Sequence, residues 1–228
     1  EETDSIGGVK EYTYDMLGRK IAEKDKNGNT STFTYDAYNR LTLSSVPLEG
    51  SSYMKQRYSY DANGNVLKEE TLNSTVGAAE SWAVTNFTYD ADNHLTRAEN
   101  VDTDNKKYYT TYVYDENGNT TRVTSANGKN ITNYVYDKYK RVTKMTDPMG
   151  YVETYTYDIA GNMLSKTDRN GNKIQYTYDP ANRMTKEYSG NTVRAEYTYD
   201  LAGNKIQEIN GNITVKSIYN EQNRLSKV

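Results

Sequence analysis

The chain has 228 residues with 28 Lys and Arg, 31 Asp and Glu, one His and no Cys, so its formal net charge is only -3. This charge predicts no nucleic-acid partner and no attraction to an anionic membrane, and the missing cysteine excludes disulfides and thiol catalysis. Mean hydropathy is -0.98 and aliphatic residues are scarce, as in disordered chains, but the 24 tyrosines indicate an ordered protein with a tyrosine core.

A repeat dominates the sequence. The tetrapeptide Tyr-Thr-Tyr-Asp, or a close variant, occurs nine times and returns every 21 residues in the regular stretches, and a decayed copy ends at Tyr219-Asn220. A fixed period indicates an array of one small unit. We therefore predict one domain over residues 1–228, with about nine full copies of 20–29 residues plus the decayed copy. Because both ends cut into the repeat, we expect a fragment of a longer array.

Each copy predicts a β-hairpin. In the copy that begins at Tyr155, an aromatic residue alternates with Thr156, which is typical of a strand. The stretch 158–162 predicts a turn, because Asp bonds nearby N–H groups and Gly161 permits positive φ. Residues 163–167 form the predicted return strand, and Asn170-Gly171 marks a second hairpin turn.

The other copies follow the same plan. Gly or Asn stands three residues after the motif Asp, with Lys140 as the exception. We assign the repeat motif a structural role. Its assigned residues are Tyr12, Tyr14, Asp15, Gly18, Tyr35, Asp36, Tyr58, Tyr60, Asp61, Gly64, Tyr89, Asp90, Tyr112, Tyr114, Asp115, Gly118, Tyr134, Tyr136, Asp137, Tyr155, Tyr157, Asp158, Gly161, Tyr176, Tyr178, Asp179, Tyr197, Tyr199, Asp200 and Gly203.

Three copies are longer, with spacings of 25, 29 and 25 residues. The extra residues fall at the second turn each time, around Val46–Tyr53, Leu72–Ala83 and Asn100–Tyr108. We expect an irregular excursion at Ser74–Ala79, beside Trp82, the only tryptophan.

Two strands per copy predict an all-β array of about eighteen to twenty antiparallel strands. At ~4.8 Å per strand the ribbon would be roughly 90 Å wide, and closure would give a diameter on the order of 30 Å, too wide for side chains to fill. We therefore expect a curled or spiral sheet, hollow when long enough, with tyrosines stacked from strand to strand. No helical periodicity is present.

These residues resemble the YD repeat of the Rhs (rearrangement hot spot) family, and Glu11-Tyr12-Thr13-Tyr14-Asp15-Met16-Leu17-Gly18-Arg19 matches its pattern fully. The resemblance covers nearly the whole chain. It implies a β-strand spiral that, in bacterial members, forms a hollow shell around a C-terminal toxic domain. The family's C-terminal core motif is missing here, since Asp147-Pro148 is an internal turn, so neither self-cleavage nor toxin activity is assigned to any residue.

Three features that could indicate metal binding or catalysis have simpler structural explanations. Asp-x-Asn-Gly-Asn at Asp25, Asp61, Asp115 and Asp168 is similar to a calcium loop, but its glycine is two places early. An aspartate in every copy suits turn formation better than a glycosidase carboxylate pair. His94 occupies a position that is Arg or Asn in the other copies. We therefore predict no catalytic, cofactor-binding or metal-binding residue, no cofactor and no enzymatic activity.

Our interpretation is a structural segment of a large bacterial protein, secreted or at the cell surface, that forms the wall or scaffold around a toxin-like domain. Its partners would be the rest of the parent polypeptide, including that cargo. We expect neither a nucleic-acid partner nor membrane insertion, and edge strands open to self-association. The alternative is a carbohydrate- or cell-surface-binding module with exposed tyrosines that stack on sugars, and the orientation of the tyrosines distinguishes the two.

Overall fold

The computed structural model describes residues 2–3, 9–48, 52–75, 80–102, 104–125 and 128–228. All regular secondary structure in these ranges is β, which confirms the predicted all-β fold of successive hairpins. Among the described residues there is no helix with the length and apolar character needed to span a membrane.

The strands are β1 (Glu2–Thr3), β2 (Val9–Tyr14), β3 (Lys20–Lys24), β4 (Thr30–Tyr35), β5 (Leu41–Pro47), β6 (Ser52–Tyr60), β7 (Val66–Thr75), β8 (Ala83–Tyr89), β9 (Leu95–Val101), β10 (Lys107–Tyr114), β11 (Thr120–Thr124), β12 (Ile131–Tyr136), β13 (Val142–Thr146), β14 (Val152–Tyr157), β15 (Met163–Thr167), β16 (Lys173–Tyr178), β17 (Met184–Ser189), β18 (Thr192–Tyr199), β19 (Lys205–Asn210), β20 (Ile213–Lys216), β21 (Ile218–Tyr219) and β22 (Leu225–Lys227).

The chain divides into two compact units, residues 1–113 with 123–129 and residues 114–122 with 130–228. In the first unit each strand from β1 to β10 pairs antiparallel with the next strand along the chain. In the second unit β12 to β20 pair in the same way, and β21 pairs with β22. The predicted single domain, the curl and the hollow interior stay predictions.

The first turn of each copy is a short loop closed by backbone hydrogen bonds. The N–H of Asp15 donates to the carbonyl of Arg19, and the N–H of Gly18 donates back to the carbonyl of Asp15, both at 3.0 Å. The fourth residue of the turn has positive φ, 77° at Gly18 and 65° at Asn39. Lys140 occupies this position with φ 62°, a conformation that costs a non-glycine residue other than Asn or Asp about 1 kcal/mol.

A β-bulge follows each first turn. Thr13 pairs with Ala22 and Tyr14 pairs with Lys20, so Ile21 has no partner across the strand. The same shift occurs wherever the register of a copy is described. Some bulge residues carry a hydroxyl that bonds the facing strand, as Thr42 does to the carbonyl of Thr34 at 3.1 Å. The bulge lets one extra residue enter the return strand while the tyrosine keeps its face.

Second turns are of two kinds. Asp25–Asn29 and Asp168–Asn172 repeat the first-turn geometry, with an aspartate at the start and a positive-φ glycine near the end. By contrast, Gly190 and Gly211 begin two-residue hairpin loops. The irregular excursion expected at Ser74–Ala79 is wrong for Ser74 and Thr75, which extend β7 because long β6 offers both of them partners. Residues 76–79 lie outside the described residues.

The predicted tyrosine core is wrong. Among the described apolar side chains only Leu72 and Ala195 are buried, and the motif tyrosines are mostly half-buried. The expected row of tyrosines on neighbouring strands is interrupted, because a return strand lies between two tyrosine strands: Glu23 stands opposite Tyr12 and Glu187 opposite Tyr176. Each strand contacts mainly its two neighbours in the chain, so a residue on either face has few atoms above it.

Candidate functional site

The motif aspartate organises its own turn. In the first copy Oδ1 of Asp15 accepts from the backbone N–H groups of Leu17 and Arg19 at 2.9 and 3.0 Å, and Oδ2 accepts from Nε of Arg19 at 2.6 Å. The same three bonds recur around Asp36, Asp137 and Asp179. Both oxygens of this carboxylate are therefore used within the turn.

These bonds favour the ionised carboxylate. The backbone N–H of Arg19 is the main group that lowers the pKa of Asp15, and the amide of Asn65 is the main group that lowers the pKa of Asp61. Hydrogen bonds likewise hold the pKa of Asp158 below its usual value, with the Asn162 amide as the largest cause. A carboxylate held charged by its own turn is poorly suited to exchange protons with a substrate.

In the copies that have arginine after the positive-φ residue, this arginine connects the turn to the next copy. Nη1 of Arg19 donates to the backbone carbonyl of Asp36 at 3.0 Å, and its guanidinium carbon lies 5.1 Å from the ring centre of Tyr35. Arg183 bonds the carbonyl of Asp200 in the same way, at 3.0 Å. Equivalent contacts are made by Arg40 to Asp61 and Tyr60, by Arg141 to Asp158 and Tyr157, and by Arg183 to Tyr199. One side chain thus holds its own aspartate, the next backbone and the next ring.

Copies with asparagine in place of this arginine use a different bridge. Nδ2 of Asn162 donates to Asp158 in its own turn and to Oδ1 of Asn182 in the next turn, both at 2.8 Å. Asn65 reaches Asn93 and Asn204 reaches Asn223 in the same way. The asparagine side chain is too short to reach the backbone carbonyl of the next turn. Its amide instead donates to the side-chain oxygen of an asparagine at the positive-φ position of that turn.

Lys140 breaks this rule. It follows a copy with Asn119, where the other asparagine copies are followed by a positive-φ asparagine. Asn119 keeps its bonds to Asp115, while Nζ of Lys140 donates to the carbonyl of Asn117 at 2.8 Å. The connection between these two turns therefore combines an unfavourable backbone conformation with an exposed, flexible bridge.

The second tyrosine of the motif is a third connector. Its hydroxyl donates to the backbone carbonyl at the start of the preceding return strand, as Tyr157 does to Val142 at 3.0 Å. The other pairs of this kind are Tyr35 with Lys20, Tyr60 with Leu41, Tyr89 with Val66, Tyr136 with Thr120, Tyr178 with Met163, Tyr199 with Met184 and Tyr219 with Lys205. Partial burial raises the pKa of Tyr157 and of Tyr178.

The acceptor of this bond depends on the bulge. Val142, which accepts from Tyr157, is the residue that stands directly opposite Tyr136 in the preceding hairpin. Each second tyrosine is therefore paired across its own hairpin while its hydroxyl bonds the hairpin before it. Aspartate, arginine or asparagine, and tyrosine together join each copy to its neighbour.

The residues with potential for other chemistry serve the same turns. Asp90, Asp92 and His94 place three ligand atoms within 4.8 Å of one another. Yet Oδ1 of Asp90 accepts from the backbone N–H groups of Asp92 and His94, and Oδ2 lies 3.2 Å from Nδ1 of His94. His94 thus occupies the position of arginine in a standard turn. In the predicted calcium-like loop at Asp25 the carboxylate accepts from Asn27 and Asn29, again within the turn.

The orientation of the tyrosines bears on the carbohydrate alternative. The second motif tyrosines whose hydroxyls bond the preceding hairpin are half-buried, whereas Tyr14 is 56% exposed. The other exposed tyrosines are dispersed: Tyr38 and Tyr139 lie at turn tips, Tyr109 lies in β10 and Tyr151 directly precedes β14. A continuous exposed tyrosine ladder is therefore not present in the described part of either unit, and sugar binding stays a prediction.

One ionic network was not foreseen from the sequence. Arg169 contacts Asp147 at 3.1 Å and Glu153 at 3.0 Å, and Glu153 also contacts Lys166 and accepts from the Tyr155 hydroxyl at 2.6 Å. Burial and this carboxylate raise the pKa of Tyr155 to about 12. The network joins two successive second turns. Asp147 is the first residue of one second turn, and Arg169 is the second residue of the next. Their pairing depends on the strand register, which cannot be read from the sequence.

The sequence matches the family model described as Teneurin YD-shell over residues 4–228. This match confirms the predicted resemblance to YD-repeat proteins. Among curated proteins, the tRNA nuclease WapA of Bacillus subtilis (strain 168) is 31% identical over 127 residues, which are 54% of this chain and 4% of WapA. The WapA of Bacillus spizizenii, a tRNA3(Ser)-specific nuclease, has the same identity and coverage.

Solved structures show a similar fold. A crystal structure of TcdB2–TccC3 without its hypervariable C-terminal region aligns with a TM-score of 0.63 at 20% identity, over 95% of this chain and 12% of that chain. The Photorhabdus luminescens Tc holotoxin pore aligns with a TM-score of 0.55 at 16% identity, over 95% of this chain and 13% of that chain. The chain spans a small part of every relative named here.

The tyrosine hydroxyl bond can be tested by Tyr157→Phe. Removal of the hydroxyl leaves the half-buried carbonyl of Val142 without this donor, so we expect the free energy of unfolding to fall by about 1 kcal/mol. Urea denaturation followed by circular dichroism measures the change. Tyr139→Phe is the matched control, because Tyr139 is 50% exposed, and it should leave the midpoint unchanged. Equal effects would show that the bond does not stabilise the array.

The lysine at the positive-φ position offers a gain of stability. Lys140→Asn places a residue that tolerates this φ opposite Asn119, as in the Asn162–Asn182 bridge, so we expect stabilisation on the order of 1 kcal/mol. Lys138→Asn changes the same charge in the same turn and should have little effect. A thermal midpoint of Lys140→Asn at or below that of Lys138→Asn would contradict the proposed bridge.

Acid should destabilise the array through the turn aspartates. Their folded pKa values lie below the unfolded value near 4, so their contribution is full above about pH 5 and is lost as the pH falls through the lowered folded values. Urea midpoints measured from about pH 7 to pH 2.5 should decrease below about pH 4. Asp158→Asn, which cannot gain a proton there, should lose less stability on acidification than the unchanged chain. Stability that rises in acid would exclude this role.

Proposed function

The chain belongs to the teneurin YD-shell family, and on that premise we propose that it is a non-catalytic segment of a shell wall in a larger bacterial protein. In this proposal the wall encloses or displays an associated toxin-like domain, and the larger protein is secreted or stands at the cell surface. The activities named for the relatives, such as the tRNA nuclease WapA, would belong to parts outside the matched segment, which is 4% of that protein.

The observation that carries the proposal is how the polar groups of the repeat are used. Asp158 bonds its own turn, Arg141 reaches the carbonyl of Asp158 in the following copy, and Tyr157 bonds Val142 in the preceding one. Such groups in an active site would converge on a substrate. Here the aspartate fixes its own turn while the arginine and the tyrosine connect neighbouring copies, which suits a continuous wall.

The similarity of the repeat copies to one another also supports a non-catalytic wall segment. In repeat arrays stability is the sum of unit stabilities and contacts between neighbours, so every copy must keep its connectors. A catalytic centre needs one arrangement that differs from the rest. The described arrangement nearest to this, around His94, follows the turn pattern of the other copies.

Protection from protease tests this function. In the larger protein that contains this chain, the associated domain should resist a protease that cleaves the same domain when it is expressed alone. The double variant Arg141→Ala, Tyr157→Phe removes two connectors at one junction and should accelerate cleavage by roughly tenfold, as about 1.4 kcal/mol of lost stability implies.

The matched control is Lys138→Ala, an exposed residue of the same turn, which should leave the cleavage rate unchanged. The rate is measured by gel analysis of timed samples. If the intact protein and the isolated domain are cleaved at the same rate, the chain does not enclose its associated domain.

A further inference from the structure

The enlarged copies of the first unit carry a patch that the repeat does not explain. Strands β6 to β10 place one row of residues on the face opposite the motif tyrosines: Arg57 stands opposite Glu70, Glu70 opposite Val84, Val84 opposite Val101 and Val101 opposite Lys107. Residues directly opposite each other on paired strands share a face. A second row on this face contains Lys68, Asn86, Glu99 and Tyr109. We name these two rows, with Lys55, Glu80, Trp82 and Arg97, the cationic patch.

Cations exceed acids in the cationic patch. Five cationic side chains share three carboxylates: Lys55 pairs with Glu80, Arg57 and Lys68 pair with Glu70, and Arg97 and Lys107 pair with Glu99. Strand alternation selects which charged residues share a face. This patch is positive although the whole chain has a net charge of -3.

Two of the three carboxylates, Glu70 and Glu99, lie deeper than the cations that they pair with, whereas Glu80 is more exposed than Lys55. The side chains of Glu70 and Glu99 are 21% and 15% exposed, whereas those of Arg57, Arg97 and Lys107 are 45%, 43% and 62% exposed. Around Glu70 and Glu99, solvent therefore reaches the cations before the carboxylates. The acids hold these cations in place from below and leave part of their hydrogen-bonding capacity directed outward, since a guanidinium has five N–H donors.

Aromatic rings orient two of the arginines. The guanidinium carbon of Arg57 lies 3.6 Å from the ring centre of Trp82, and that of Arg97 lies 4.5 Å from the ring centre of Tyr109. The indole N–H of Trp82 donates to Glu80, which also accepts from Lys55. Stacked guanidinium groups are held in one plane, which favours two-point binding of a carboxylate.

Between the cations lies an aliphatic floor. Val84 and Val101 are half-buried and occupy the middle of the row whose ends are Arg57 and Lys107. Four strand spacings separate these ends, roughly 19 Å, which an extended polypeptide crosses with about six residues. A floor of this kind contacts aliphatic side chains, and the cations at its ends contact carboxylates.

We propose that the cationic patch binds an extended acidic polypeptide segment with aliphatic side chains, supplied by the domain that the wall encloses or displays. This partner rests on the proposed function. A nucleic acid fits less well, because its continuous phosphates would approach the carboxylates of Glu70 and Glu99 and it has no aliphatic groups for Val84 and Val101.

Trp82 provides the measurement, since it is the only tryptophan and lies in the patch. A ten-residue peptide of alternating Glu and Val, capped at both ends, is titrated into the 228-residue chain while tryptophan fluorescence is followed. We expect saturable binding that weakens by roughly tenfold or more between 50 and 300 mM salt, as screening of these charges requires.

The variants separate binding from folding. Lys107→Gln removes a cation that is 62% exposed, while Arg97 remains to pair with Glu99, so the fold should be kept and binding weakened by roughly fivefold. Arg57→Gln should weaken it by roughly tenfold. Lys144→Gln changes an exposed lysine in the other unit and should bind like the unchanged chain. Circular dichroism confirms that each variant is folded.

Three outcomes would overturn the inference. These are no saturable fluorescence change up to millimolar peptide, equal binding by Lys107→Gln and Lys144→Gln, and tighter binding of a single-stranded oligonucleotide than of the peptide. None of them bears on whether the associated domain resists protease, so failure here leaves the shell-wall proposal standing. Conversely, if the peptide binds but the associated domain is not protected from protease, the shell-wall proposal fails and the proposal of a docking surface stands.

Discussion

The carboxylate that starts each hairpin turn is the constraint on which the described structure depends. Asp15 accepts two backbone N–H groups and a guanidinium with its two oxygens, and this fixes both the turn and the direction of Arg19. From there Arg19 reaches the backbone and the tyrosine ring of the next copy. A turn residue in one hairpin therefore decides how the following hairpin sits. Without the carboxylate, the arginine would lose its direction as well as its charge partner.

This arrangement compensates for a small buried core. Only Leu72 and Ala195 are buried among the described apolar residues, so burial of aliphatic surface supplies less stabilisation than in a two-layer domain. Ordered polar contacts between neighbouring copies take a larger share. Each is worth about 1 kcal/mol, but they recur at almost every junction. Contacts of this kind between neighbouring copies stabilise the chain as an array.

The enlarged copies show how such an array acquires a specific surface. Longer β6 and β7 create room for Leu72 to be buried and for Trp82 to stack on Arg57. The motif residues of these copies keep their contacts, as the bond from Tyr60 to Leu41 shows. The constant first turns serve the fold, whereas the variable second turns provide new chemistry at one edge. This division permits a binding surface to arise without disturbing the connectors between copies.

The hairpin array, the turn aspartates and the positive-φ residues could be predicted from the sequence, because these features depend on neighbours within a few residues. Asp158 and Gly161 define a turn wherever the chain lies. The exception at Lys140 and the resemblance to the YD-repeat family could also be read from the sequence, because both rest on short local motifs. The positive-φ residue of the next copy is glycine after Arg40, Arg141 and Arg183, and asparagine after Arg19, Asn65, Asn162 and Asn204. This succession can be read from the sequence, but the bridges between copies depend on which side chains meet.

Contacts across strands were decided only by the tertiary structure. The β-bulge sets which carbonyl meets the Tyr157 hydroxyl, and a shift of one residue would move every partner to the other face. For this reason the tyrosine core was predicted wrongly, since Glu187, and not another aromatic residue, stands opposite Tyr176. Arg169 contacts Glu153, 16 positions away, and the row across the cationic patch runs from Arg57 to Lys107, 50 positions apart. Local sequence determined each turn and strand, and the register between strands determined which side chains meet.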